Sequence, residues 1–236
     1  MNAVKEIFHS FVDILAPLHC EICGKYIGES EHRFEYICNR CADRLPIAPD
    51  SHQLKSKLYD SFAKDDVALS DIYSLFSVKD DFHYMKPVHS LKYYGMRRIG
   101  REFGRELGRL IKKKSDVDYK YIIPIPVHHA RKRERGFNQS LMIAIGIGME
   151  TGFRVNESIV KRRKYTQTQT KLDSRDRIRN VSMAFDIESK KNDDIRNAEL
   201  LIADDVMTTG STLNYCANAL LEAGARRVDA ATLATA

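Results

Sequence analysis

Two adjacent carboxylates, Asp204 and Asp205, stand between a short apolar run and a turn dense in hydroxyls. The run, residues 200–203, reads Leu-Leu-Ile-Ala and suits a strand buried on both faces, with the acids where such a strand would end. Val206 and Met207 follow, then Thr208, Thr209, Gly210, Ser211 and Thr212. Beyond them Leu213, Cys216, Ala217, Leu220 and Leu221 recur at helical spacing, which predicts a helix starting near Ser211 or Thr212. Small residues between a buried strand and a helix start make a phosphate cradle. The first amides of a helix have no partner within it, and its dipole favours an anion there. Gly210 lets the backbone approach a ligand closely and take a positive φ. Two acids would repel a bare phosphate. They accept hydrogen bonds from a ligand whose phosphate is set apart from them by neutral hydroxyls. A ribose 5-phosphate has that shape, with its phosphate on residues 208–212 and its 2′- and 3′-hydroxyls on Asp204 and Asp205. The alternative is a tight acidic strand–helix turn that binds nothing.

The second chemical constellation is cysteine. Cys20 and Cys23, then Cys38 and Cys41, form two C-x2-C pairs separated by fourteen residues. In a chain of the cytosol this spacing points to four thiolates on one structural zinc rather than to disulfides. Gly24 follows the first pair, as a knuckle turn requires. A redox C-x2-C remains the alternative, although that motif comes singly beside a βαβ pattern. His19 and His32 are spare to a four-cysteine set, and Cys216 falls on an apolar helical stripe as a small core residue.

The elements that must position these groups can be read in outline. Residues 4–15 form an amphipathic helix ended near Pro17, leading into the first cysteine pair. Tyr26, Ile27, Phe34, Tyr36 and Ile37 give the segment between the pairs only a small core, so the metal is expected to supply much of its folding energy. The Pro46–Pro49 break divides the chain into a helix and four-cysteine zinc ribbon at 1–48 and a larger domain at 49–236. Residues 50–66 are polar and ambiguous. A strand is expected over 71–78, a turn at Asp80-Asp81, a short helix over 85–94 and a longer one over 97–113. That longer helix carries Gly100, Gly104 and Gly108 on one stripe, which suggests close packing, and Arg101, Arg105 and Arg109 on another, read as a solvated face. Residues 121–127 form a second buried strand ended by prolines. After it, Val127, His128, Arg131, Lys132, Arg135 and Asn138 make a basic loop at the carboxyl end of a strand, where open α/β sheets bind ligands, followed by an apolar helix. Gly146, Gly148 and Gly152 fall in or after that helix, so they are not a dinucleotide fingerprint. A short strand over 158–160, a long polar stretch over 161–179, a strand over 181–187 and a final strand over 227–233 complete the outline. The strands and helices of this outline suit an α/β fold.

The 236 residues, 43% hydrophobic and 30% charged, read as a soluble globular chain with one full domain and a small one. No apolar run reaches the length of a bilayer span, and Lys5, Glu6, His9 and Asp13 interrupt any signal-peptide core, so a cytoplasmic location is expected. The net charge of +6 favours anionic partners without choosing between phosphates and nucleic acid.

The stretch from Asp204 through Thr212 resembles the phosphoribosyl-pyrophosphate (PRPP) motif of type I phosphoribosyltransferases. With the four-cysteine ribbon and Arg135-Gly136-Phe137-Asn138-Gln139, nearly the whole chain resembles the ComF family; Leu91-Lys92-Tyr93, Thr166-Gln167 with Leu172 and Arg177, and Asn180-Val181 with Phe185 are further family-like positions. The resemblance implies a type I phosphoribosyltransferase fold, with a mostly parallel sheet flanked by helices, in which Asp204 to Thr212 bind PRPP and the basic loop holds the leaving diphosphate. It implies catalytic roles for Asp204, Asp205 and Arg131, a mobile loop containing Lys164, Thr166, Gln167 and Arg177, and Mg2+ accompanying PRPP. It also implies a link to natural transformation, with single-stranded DNA and other competence proteins as partners. Two functions suit these expectations: phosphoribosyl transfer to an acceptor, or a PRPP-binding module that handles single-stranded nucleic acid, with Tyr93, Tyr94 and Tyr165 to stack bases. A purely structural zinc adaptor would leave the acid pair and its hydroxyl turn without a purpose.

Overall fold

The computed structural model describes residues 18–28, 33–78, 82–93, 96–127, 133–162, 185–188 and 192–236. The helix expected over 4–15, the turn expected at Asp80-Asp81, residues 128–132 and residues 163–184, with the first part of the strand expected over 181–187, lie outside them, as do His32 and Tyr94.

A five-stranded sheet forms the centre. Its strands are β1 (Ile72–Ser77), β2 (Tyr121–Pro124), β3 (Arg154–Val155), β6 (Glu199–Met207) and β7 (Arg227–Thr235). They lie in the order β1-β7-β6-β2-β3 with every neighbouring pair parallel. A separate antiparallel pair joins β4 (Val160–Arg162) to β5 (Phe185–Ile187). The helices are α1 (Asn39–Ala42), α2 (Ser51–Ser56), α3 (Lys86–Tyr93), α4 (Arg97–Lys114), α5 (Gln139–Thr151), α6 (Asn192–Ile195) and α7 (Ser211–Glu222). Burial on both faces explains why β6 and β7 are apolar almost without alternation. One core, containing Phe76, Phe103, Ile143 and Leu201, lies on the α4 and α5 side; the other, containing Leu58, Ile202, Leu213 and Leu220, lies on the α7 side.

Besides β3, which the sequence reading does not include, and β4, which lies two residues later than expected, three departures from that reading bear on the site. Strand β6 does not stop at Ala203; it runs through both acids to Met207, because β7 continues beside it and pairs Asp204 with Thr232 and Met207 with Thr235. Strand β2 is shorter than expected. It ends at Pro124 opposite Ala203, and Pro126 two residues on has no amide hydrogen to extend a ladder. The polar residues 50–66 contain α2, capped by Asp50, which accepts from the Gln53 amide at 2.8 Å. This segment also buries Leu54 and Leu58 completely.

The glycine stripe of α4 meets α5 at very close range. A Cβ at Gly104 would lie 2.4 Å from the Ile143 carbonyl oxygen, and one at Gly146 only 2.2 Å from that of Arg101. The arginine stripe is exposed but not free of partners. Arg105 and Arg109 reach Glu150 at 3.7 and 3.5 Å, and Arg109 also pairs with Glu106.

The ribbon packs on this domain. Cys20, Ile22, Ile27, Phe34 and Ile37 share one apolar cluster with Val88, Leu91, Ile99 and Phe103. The Phe34 and Phe103 rings are 4.9 Å apart, Arg33 pairs with Glu106, and Glu35 meets Arg98 at 2.5 Å.

Candidate functional site

Because β2 stops opposite Ala203 while β6 goes on, one edge of β6 is left without a strand from Asp204 onward among the described residues. A cleft of about 350 Å³ occupies that position. Its polar lining comes from Lys92, Arg135, Arg162, Asp204, Asp205 and Thr212, and Val127 and Val206 contribute to its wall. This is a crevice at the carboxyl ends of parallel strands, where doubly wound sheets bind ligands.

Asp204 is fixed from two sides. Its Oδ1 accepts from the Ser140 hydroxyl at 2.9 Å and from the Asp205 amide at 2.9 Å. Burial, and after it the neighbouring Asp205 carboxylate, push the Asp204 carboxyl up to about 7, against the pull of Ser140 and Lys92. Near neutral pH the pair therefore carries less than two full charges, and a protonated carboxyl can donate as well as accept. Asp205 pairs with the Lys92 ammonium at 3.0 Å.

Beyond Met207 the chain turns into α7. Gly210 takes φ 74° at the helix N-cap, and a Cβ there would lie 2.5 Å from Leu58 and 2.8 Å from Met207, so only glycine fits. The Thr209 and Ser211 hydroxyls share a hydrogen bond at 3.0 Å, and Thr208 and Thr209 are exposed. Thr212 faces the cleft from the first turn, where helix amides are unpaired. Across the cleft, Asn138 caps α5: its side chain accepts from the Ser140 amide at 3.1 Å and donates to the Ile125 carbonyl at 3.1 Å. Arg135 lies over the Tyr93 ring at 5.3 Å and donates to Gln139 at 3.2 Å, while its Nε is buried without a partner among the described residues.

Thus Lys92, Val127, Arg135, Asp204, Asp205, Val206 and Thr212 come together on one cleft, with Met207 to Ser211 forming the adjoining turn and Asn138 shaping its far wall. His128, Arg131, Lys132, Lys164, Thr166, Gln167 and Arg177 lie outside the described residues. Two contributors carry no sequence signal. Ser140 is an ordinary first-turn serine, and Arg162 sits within a basic run, yet one holds Asp204 and the other lines the cleft.

The four cysteine sulfurs lie within 4.8 Å of one another, with Cys23 and Cys38 at 3.9 Å. Tetrahedral zinc with Zn–S bonds near 2.3 Å has sulfur–sulfur edges of about 3.8 Å, so the donor set fits that ion. Gly24, at φ 71°, donates its amide to the Cys20 carbonyl at 2.7 Å and closes the first knuckle. His19 instead packs edge-on against Tyr26.

Residues 151–236 match the Phosphoribosyl transferase domain family, a stretch that includes β6, the Gly210 turn and α7. The chain is 36% identical over 115 residues to competence protein F of Haemophilus influenzae, covering 49% of this chain and 50% of that one. It is 35% identical over 107 residues to the DNA utilization protein YhgH of Escherichia coli strain K12, covering 45% of each. With the competence protein ComFC of Bacillus subtilis it shares 24% identity over 206 residues, 87% of this chain and 78% of that one. The alignments thus span about half the length of the first two relatives. The four-cysteine cluster ahead of the matched phosphoribosyl transferase domain is consistent with these similarities to the competence proteins F and ComFC.

Proposed function

We propose that the cleft binds PRPP and that the protein is a ComF-type phosphoribosyltransferase acting in DNA uptake or use. The observation that carries this reading is the placement of Asp204 and Asp205 on an open strand edge directly before the Gly210 turn and the α7 N-terminus. The acids accept from the ribose diol while the turn amides and Thr212 hold the 5-phosphate. Arg135 and Arg162 line the same space as counter-charges for the diphosphate, and the reading gives the same task to Arg131 and Lys132, which lie outside the described residues. The C1–O bond breaks with its electron pair leaving on the diphosphate, and an acceptor nucleophile bonds to C1 of the resulting oxocarbenium-like sugar. When bound, Mg2+ supplies charge neutralisation of the diphosphate; the oxygen-only acids beside the cleft suit such a hard cation, which is held chiefly by ligand oxygens and water. Zn2+ on Cys20, Cys23, Cys38 and Cys41 supplies folding energy to the ribbon. Among the described residues no helix is long and apolar enough to cross a membrane. The reading places this work in the cytoplasm.

A second reading, a non-catalytic PRPP-binding module acting on single-stranded DNA, draws on the relatives named as DNA utilization proteins and on Tyr93, 57% exposed at the cleft margin. Calorimetry of the metal-loaded chain with PRPP and Mg2+ tests the shared step. Binding is expected, with Asp204→Asn/Asp205→Asn weakening it at least about tenfold. No heat, and no change in the double variant, would overturn both readings. Diphosphate release across a panel of amines and bases then separates them.

A further inference from the structure

Helix α3 connects the cysteine ribbon to the acid pair. On one side its Ser90 hydroxyl, 3% exposed, donates to the Glu21 carboxylate between Cys20 and Cys23, and its Lys86 ammonium donates to the Ile22 carbonyl at 3.2 Å. Val88 and Leu91, both fully buried, pack in the same cluster as Ile22, Ile27 and Phe34. On the other side Lys92 reaches Asp205. Two residues along an α-helix are about 200° apart around its axis, so Ser90 and Lys92 necessarily point to opposite flanks. The eight-residue helix is too short to hold its shape without its packing. The ribbon is therefore one of the surfaces that sets where Lys92 stands.

We infer that Lys92 is a binding residue for the anionic ligand and that the four-cysteine ribbon is its positioning device, so that the state of the metal site is coupled to the cleft through α3. Lys92 touches one oxygen of Asp205, Oδ2; among the described residues the other carries no ion pair and can accept from a hydroxyl. Its charge offsets the acid pair, which alone would repel a ligand carrying a phosphate and a diphosphate. Among the groups lining the cleft, Arg135 and Arg162 supply the remaining positive charge, but Lys92 is the one that contacts the acids. When Glu21 and the Ile22 carbonyl let go of Ser90 and Lys86, α3 loses one wall, and the ammonium is no longer held beside Asp205. The ribbon thus acts on the cleft without entering it.

This inference rests on the PRPP reading only for the choice of ligand, and its test has an arm that needs none. In that arm the full chain is treated with an amine-acylating reagent, and the modification rate of Lys92 is followed by mass spectrometry with and without a zinc chelator. Release of the metal, and separately Ser90→Ala or Glu21→Gln, is expected to raise the Lys92 rate several-fold relative to Lys112, Lys113 and Lys114 at the far end of α4. The second arm is a double-mutant cycle on PRPP affinity. Lys92→Met is expected to weaken binding about tenfold or more. Ser90→Ala is expected to weaken it in the parent chain and to add nothing once Lys92 is gone. Equal Lys92 labelling in loaded and chelated protein overturns the inference, as does additivity of Ser90→Ala with Lys92→Met. If the parent chain binds no PRPP, the functional reading fails, and the labelling arm alone decides whether the ribbon positions Lys92.

Discussion

Replacing Gly146 with alanine puts a methyl group where α4 and α5 touch backbone to backbone. The Cβ would lie 2.2 Å from the Arg101 carbonyl oxygen and 2.8 Å from the Gly104 Cα. Ordinary contact begins near 3.4 Å, so the helices must part by about 1 Å. A gap of that size forfeits roughly a quarter to a half of the dispersion energy of each contact along the seam. Overpacking a close interface costs about 1–3 kcal/mol or more, against which alanine regains about 1 kcal/mol of helix propensity. A net loss of up to about 2 kcal/mol lowers Tm by up to about 4–8 °C in a chain of this size. The effect should also reach the cleft, because α5 carries Ser140 onto Asp204 and Asn138 onto the Ile125 carbonyl. Differential scanning calorimetry measures the first effect and PRPP titration the second. Gly108→Ala is the internal control. Its nearest neighbour would be the Glu150 Cβ at 2.9 Å and the nearest backbone oxygen lies at 3.2 Å, so the helices need part far less than at Gly146 and the loss should be smaller. If Gly146→Ala melts at or above the parent temperature while keeping parent affinity, the seam is not a close contact and the account of the two glycine stripes is wrong.

The Asp204 carboxyl, lifted to about 7, keeps its proton in the folded state over a range where the unfolded chain has released it; stability should therefore fall as pH rises from about 4 to 7, and Asp204→Asn should flatten that slope in urea titrations. Gly210→Ala must adopt a positive φ and displace Leu58 or Met207, so it should abolish PRPP binding while far-UV circular dichroism still reports a folded sheet. Chelating the ribbon metal should lower Tm and raise amide exchange over residues 18–45 before the sheet opens, since that segment has little core of its own; identical melting curves with and without chelator would refute a structural metal. Asn138→Ala removes a helix cap and a tether to Ile125, and should cost about 1 kcal/mol in chemical denaturation.

Much of this fold is legible in the sequence because burial on both faces leaves an unmistakable apolar run, as in residues 200–203 and 121–125. The periodic helices are equally plain: apolar spacing predicts α4 over 97–113, and it spans Arg97–Lys114, while α7 begins at Ser211 as its own spacing implies. What stays hidden is set by partners distant in sequence. Asp204 and Asp205 are poor strand formers, and only the continuing ladder of β7 holds them extended. Leu54 and Leu58 look like isolated apolar residues in a polar stretch, yet Leu58 lies against Gly210 and helps shape the ligand turn. Ser140 and Arg162 gain their roles only when α5 and β4 are brought beside β6.

The difference in length between two neighbouring strands connects the legible parts to the site itself. Pro124-Ile125-Pro126 stops β2 opposite Ala203, and the long apolar β7 carries β6 four residues further. Had β2 continued, its backbone would have paired with Asp204 and Asp205 and filled the space that the cleft now occupies. The prolines therefore do more than end a strand: they leave two carboxylates on an unshared edge, in a cleft of about 350 Å³ that Arg135 and Arg162 also line. Among the described residues, Lys92 is the cation that crosses that opening to touch the acids, and it comes from a helix whose other flank is packed on the cysteine ribbon. A chain that kept the strands but replaced Pro124 and Pro126 with strand formers should extend β2 and lose the cleft without losing the fold.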